Sequence, residues 1–92
     1  MKITVKVFAT LRDVMDKEVE LELVENTTIS GLLEVLSGRY AGLRDELFDA
    51  SGALKKYVNI LKNGRNVYFL KDLQTVLEDG DIITLFPPVA GG

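Results

Sequence analysis

The residues best suited to chemistry stand together at the end of the sequence, Phe86-Pro87-Pro88-Val89-Ala90-Gly91-Gly92. Gly92 there presents a carboxylate on a stalk with almost no side chain. Gly91 and Gly92 lack a Cβ, so they reach backbone angles closed to other residues and pass through a narrow slot. Pro87 and Pro88, the only two prolines of the chain, fix φ and donate no hydrogen bond, which keeps the stalk stiff and extended. The pattern is that of a reactive group held at arm's length from a compact body. The bland alternative is an inert end, since chain termini are commonly poorly ordered, or glycines left by an expression scar.

Other chemistry is largely excluded by composition. The chain has no cysteine, hence no disulfide framework, thiolate nucleophile or thiolate zinc site. It has no histidine, hence no histidine-based triad, imidazole base or imidazole metal ligand. The carboxylates are scattered without calcium-loop spacing, so no metal site is expected. A net charge of −3 argues against nucleic acid as the main partner. No run approaches the ~20 apolar residues that cross a bilayer, and the N-terminus runs directly into a strand pattern. The expectation is a cytoplasmic, membrane-free protein that is not itself an enzyme.

The elements that must position the stalk are read from periodicity. Ile3, Val5 and Val7 alternate with Thr4, Lys6 and Phe8, a strand over Lys2–Ala9. Thr10–Lys17 breaks the alternation as a loop or short helical turn. Glu18–Val24 alternates again, Val19, Leu21 and Leu23 opposite Glu18, Glu20 and Glu22, as suits an antiparallel hairpin with one solvated face. From Ile29 the period changes: Ile29, Leu32, Leu33, Leu36 and Tyr40 form one helical stripe, with Thr27 or Thr28 as N-cap. Leu43–Phe48 adds a further helical turn. Tyr57–Leu61 is a strand, Asn63-Gly64 a tight hairpin turn, and Asn66–Phe69 a brief return strand. After an aperiodic connection, Asp79-Gly80 turns into the last strand, Ile82–Phe86.

A helix between antiparallel hairpins covers one face of a sheet, giving a two-layer α+β domain. With the first and last strands parallel neighbours at the centre, the expected fold is the β-grasp, or ubiquitin-like, arrangement. It has a mixed sheet of about five strands and one main helix packed on one face. Residues 1–86 form the domain and 87–92 the tail.

Several segments carry a resemblance. The ending from Asp79 to Gly92, the run Phe8-Ala9-Thr10-Leu11-Arg12-Asp13, Arg39-Tyr40-Ala41-Gly42-Leu43 and Val58-Asn59-Ile60-Leu61-Lys62-Asn63-Gly64 resemble the small subunit of molybdopterin synthase, the MoaD type of ubiquitin-like sulfur carrier. Gly-Gly alone also ends thiamine-pathway carriers and ubiquitin-like modifiers; the longer Phe-Pro-Pro-Val-small-Gly-Gly is typical of this type. Two features depart from it: Ala41 stands where many relatives have proline, and the stretch Arg44–Lys56 is longer than in compact members. The resemblance implies that an E1-like adenylating enzyme uses ATP to activate the Gly92 carboxylate. A sulfur donor protein then converts it to a thiocarboxylate. The loaded tail enters the large catalytic subunit of molybdopterin synthase and gives sulfur to a pterin precursor. No cofactor is implied on the chain itself.

On this reading Gly92 is the reacting group and Gly91, Ala90, Val89, Pro88 and Pro87 enter the partner's channel, Val89 and Ala90 serving equally well as inert spacer. Strand alternation puts Ile82, Thr84 and Phe86 on one face and Ile83 and Leu85 on the other. Phe86 is thereby favoured as an exposed partner anchor over a core residue, with Val67 and Phe69 extending its patch. Arg12 matches the family motif and is either a partner contact or a solvated arginine. Lys55, Lys56 and Lys62 are expected to be merely solvated. Two other functions remain open. One is a protein modifier, or a sulfur carrier for thiamine or tRNA; the other is a scaffold with an inert tail.

Overall fold

The computed structural model describes residues 1–88; Val89, Ala90, Gly91 and Gly92, and what the sequence predicts for them, lie outside the described residues. β1 (Lys2–Val7) and β2 (Glu18–Glu22) pair antiparallel with Ile3 opposite Leu21 and Val5 opposite Val19. That register puts every apolar residue of the hairpin on the inner face and leaves Glu18, Glu20 and Glu22 exposed, as the alternation demands. β1 stops at Val7 rather than Ala9, because Ala9 turns to φ 54° and opens a 3-10 turn over Ala9–Asp13 that buries Leu11.

The helix α1 (Ile29–Arg39) starts where the Thr28 hydroxyl accepts a hydrogen bond from the Gly31 amide at 3.2 Å, satisfying one of the donors that a helix start leaves free. Its buried stripe is Ile29, Leu32, Leu33 and Leu36. Gly42, at φ 91°, reverses the chain into α2 (Leu43–Leu47), which buries Leu43 and Leu47. β3 (Asn59–Lys62) and β4 (Arg65–Asn66) form the predicted hairpin. Asn63 and Gly64 sit at φ 50° and 87°, the left-handed pair that matches the twist of adjoining strands. The return strand is shorter than predicted: Val67–Phe69 is a 3-10 turn. The Asn66 side chain accepts from the Tyr68 amide at 2.9 Å, and this local bond displaces strand pairing.

β5 (Ile82–Phe86) lies between β1, to which it is parallel, and β3, to which it is antiparallel, and the sheet order is β2-β1-β5-β3-β4. The inner face of all three central strands packs on α1; Ile3, Val5, Val7, Ile83 and Leu85 have no exposed surface. The fold is a β-grasp, a mixed five-stranded sheet with one main helix on one face.

Candidate functional site

The base of the tail is built by the two central strands. Val7 pairs with Leu85 in the parallel register, so the next residues outward, Phe8 and Phe86, come side by side on the face away from the helix. Their rings stack with centroids 4.9 Å apart and planes 13° from parallel. Arg12, from the 3-10 turn, brings its guanidinium to 4.7 Å from the Phe8 ring centroid while its Nε donates to the Val7 carbonyl at 2.9 Å. Arg12 is exposed, yet it is held in place by that hydrogen bond and by the attraction of a cation to an aromatic face. It is therefore a fixed positive charge beside the tail rather than a freely solvated one.

The alternation in β5 holds: Ile83 and Leu85 are buried, while Ile82, Thr84 and Phe86 face outward, Phe86 half-buried. Across the other edge of β5, Phe86 pairs with Asn59. Three of the predicted stalk and patch residues need correction. Pro87 is buried, so it belongs to the body and the stalk leaves from Pro88, which is half-buried. Val67 is 2% exposed and belongs to the core, because the pairing of Asn66 with Leu61 sets the next residue level with buried Ile60, on the inner face and not on that of Phe86. Phe69 is 80% exposed but borders a separate groove with Tyr68, not the face of Phe86.

One polar cluster near the other end of β5 was not legible in the sequence. Lys62 keeps only 14% of its side chain exposed; its ammonium donates to Glu78 at 2.9 Å and to the Val76 carbonyl at 3.0 Å, and lies 3.5 Å from Asp81. The Glu78 hydrogen bond pushes the lysine pKa up, burial works against it, and the Asp81 charge adds to the rise. Asp81, 5% exposed, accepts from the Asn63 amide group and the Glu78 backbone at 2.8 Å each. Asn63 in turn accepts from the Ile82 amide at 2.8 Å. The cluster clamps the β3–β4 turn to the start of β5, fixing the strand that carries the tail. The expectation of a merely solvated Lys62 is thus overturned, because its pairing partners lie on a segment that only folding brings near.

Among the described residues no group of three or more His, Cys, Asp or Glu side chains could hold a metal ion. No helix among them is long and apolar enough to cross a membrane. The site consists of a stacked and charged platform, Arg12, Phe8 and Phe86, with Pro87 packed into the body after it and Pro88 half-buried beyond.

Known proteins share this architecture. The chain is 40% identical over 93 residues to small archaeal modifier protein 3 of Haloferax volcanii, covering all of both chains. It is 30% identical over 94 residues to the molybdopterin synthase sulfur carrier subunit of Mycobacterium tuberculosis, covering 100% of this chain and 99% of that one. The crystal structure of SAMP1 from Haloferax volcanii superposes with a TM-score of 0.87 at 30% identity, all of both chains being covered. The sequence profile of the ThiS family matches residues 5–92, and the chain belongs to that family of ubiquitin-like sulfur carriers.

Proposed function

We propose that the Gly92 carboxylate is the working group of this chain and that other enzymes perform the chemistry on it. A carboxylate is a poor electrophile. Attack of its oxygen on the α-phosphorus of ATP, with loss of pyrophosphate, makes an acyl adenylate whose AMP is a good leaving group. Hydrosulfide, released at the sulfide oxidation level by a donor protein, then attacks the acyl carbon, expels AMP and gives up its proton to leave a thiocarboxylate. The acceptor we favour is a pterin precursor, with the chain acting as the small subunit of molybdopterin synthase. The tail motif Phe86-Pro87-Pro88-Val89-Ala90-Gly91-Gly92 and the full-length likeness to a molybdopterin synthase sulfur carrier subunit support it.

The observation that carries the reading is the platform. Phe86 is stacked on Phe8 and Pro87 is buried, so the exit of the tail is fixed relative to the body. The four residues beyond Pro88 can span at most about 14 Å, enough to reach into a partner's slot while the body stays outside. Val89 and Ala90 suit a desolvated channel, and the two terminal glycines suit its narrow end. Arg12 and Phe86 form the face presented to whichever partner takes the tail.

The full-length 40% likeness to a small archaeal modifier protein favours a second reading, in which a lysine amine of another protein attacks the activated Gly92 and an isopeptide bond results. Intact mass after incubation with ATP, a sulfur donor and the E1-like enzyme of the same organism tests the common step. Replacement of one oxygen by sulfur at the C-terminus is the expected product. A deletion strain separates the destinations. Loss of pterin-cofactor activity marks the carrier, and loss of Gly92-dependent high-mass adducts with that activity intact marks the modifier.

A further inference from the structure

The β3–β4 end of the molecule holds a groove of about 540 Å³. Its floor is apolar, Val58, Ile60 and Val67, and its rim is aromatic, with Tyr57, Tyr68 and Phe69 exposed to 59%, 67% and 80%. Burial alone does not explain these rings. Tyr68 and Phe69 pack edge to face at 5.3 Å and share their contact with each other rather than with the core. Tyr57 holds φ 70°, a left-handed conformation that a bulky L-residue adopts only under constraint. Exposed tyrosines over a dry floor are the composition of interface anchors.

The groove offers little to a small ligand. Its two asparagine side chains are occupied: the Asn66 amide donates to Asn59 at 3.1 Å, and the Asn59 amide to the Tyr57 carbonyl at 3.4 Å. Its surroundings are charged in one sense. Residues 54–72 carry Lys55, Lys56, Lys62, Arg65 and Lys71 against Asp72 alone, in a chain whose net charge is −3. Lys62 is used by Glu78 and Asp81, but no ion pair among the described residues involves Lys56, Arg65 or Lys71. The complement is an acidic surface. The groove is separate from the face of Phe86 but adjoins it, since Asn59 on its wall is the register partner of Phe86. A protein docked against Phe86 at the end of β5 lies one strand away from this groove.

We propose that the enzyme that activates the tail also grips the body here, through a segment that presents an apolar side chain flanked by carboxylates. The proposal rests on Gly92 being the activated group. It divides the labour between a reacting tail and an affinity-setting groove, so the two separate in kinetics.

The test uses the full chain and the purified E1-like enzyme of the same organism, following ATP-dependent adenylation at increasing chain concentration. Tyr68→Ala and Phe69→Ala, both at exposed positions, are expected to raise KM about tenfold or more with kcat unchanged. The double variant Lys56→Glu/Lys71→Glu is expected to raise KM and to flatten its rise with salt. Val24→Ser, 80% exposed just beyond β2 at the opposite edge of the sheet, should leave both parameters at wild-type values. Wild-type adenylation with KM within twofold for every groove variant overturns the docking and leaves the reading of Gly92 standing. No adenylation of the wild type overturns both. Concentration-dependent dimers of the wild type in sedimentation, abolished by Tyr68→Ala, would assign the groove to a second copy of the chain and also overturn the proposal.

Discussion

Replacing Lys62 by methionine keeps the side-chain volume and removes the charge that clamps the β3–β4 turn to β5. Removing one partner of a fully buried ion pair costs about 3–5 kcal/mol, because the other charge is left uncompensated. Here three features lower that figure. Lys62 retains 14% exposure, Glu78 is 76% exposed and so loses little, and Asp81 keeps the hydrogen bonds from Asn63 and the Glu78 backbone. The Val76 carbonyl loses a donor as well. The expected cost is about 2 kcal/mol, or about 8–16 °C in Tm for a domain of this size. Urea and thermal denaturation followed by circular dichroism measure it, and a double-mutant cycle with Asp81→Asn isolates the pair. The pH dependence gives an internal control. Because the folded-state pKa of Lys62 is raised, its contribution is complete below the unfolded value of about 10.4 and is lost as pH climbs through the folded one. The gap between wild type and Lys62→Met should therefore stay constant from neutral pH to about 10 and close above it. A variant within about 0.5 kcal/mol of wild type at neutral pH, or a gap that persists in strong base, would mean that the Lys62 charge does not hold the turn to β5.

Three further outcomes are expected. Gly92→Ala should slow adenylation by about 10–100-fold while the melting curve is unchanged, since a Cβ displaces the carboxylate in a tight slot; full turnover would sink the channel argument. Gly42→Ala should cost about 1–2 kcal/mol in denaturant titration, because the position requires φ 91° and the new methyl meets Val14 Cγ1 at 3.4 Å. The Ser51 hydroxyl, then the Ser51 amide, hold the Asp49 carboxyl below its ordinary pKa. NMR titration of Ser51→Ala should show the Asp49 midpoint moving up toward the usual carboxylate range, with the backbone bonds preserving part of the depression.

Much of the fold was legible because its signals are local. Alternation at Ile3, Val5 and Val7, the helical stripe from Ile29 to Leu36, the Thr28 cap and the Asn63-Gly64 turn each depend on residues a few positions apart, and each forms as expected. The strand expected beyond Asn66 failed for a reason equally local but ambiguous: an asparagine side chain offered Tyr68 a hydrogen bond that outcompeted pairing. That single change left Val67 on the inner face, level with Ile60, and put Phe69 on the rim of a groove.

Composition and local pattern sufficed for the tail motif, the lack of thiol and imidazole groups, and the strand and helix periodicities that a β-grasp requires. What the tail stands on came from the packing of segments far apart in the chain. The stack of Phe8 on Phe86, the fixed charge of Arg12, the burial of Pro87 and the pairing of Lys62 with Glu78 and Asp81 all depend on strand register between distant segments. Side-chain period gives each strand two faces but no partner. Which residue lies beside Phe8 follows from burying both inner faces against α1 at once, a condition that no stretch of the chain satisfies alone.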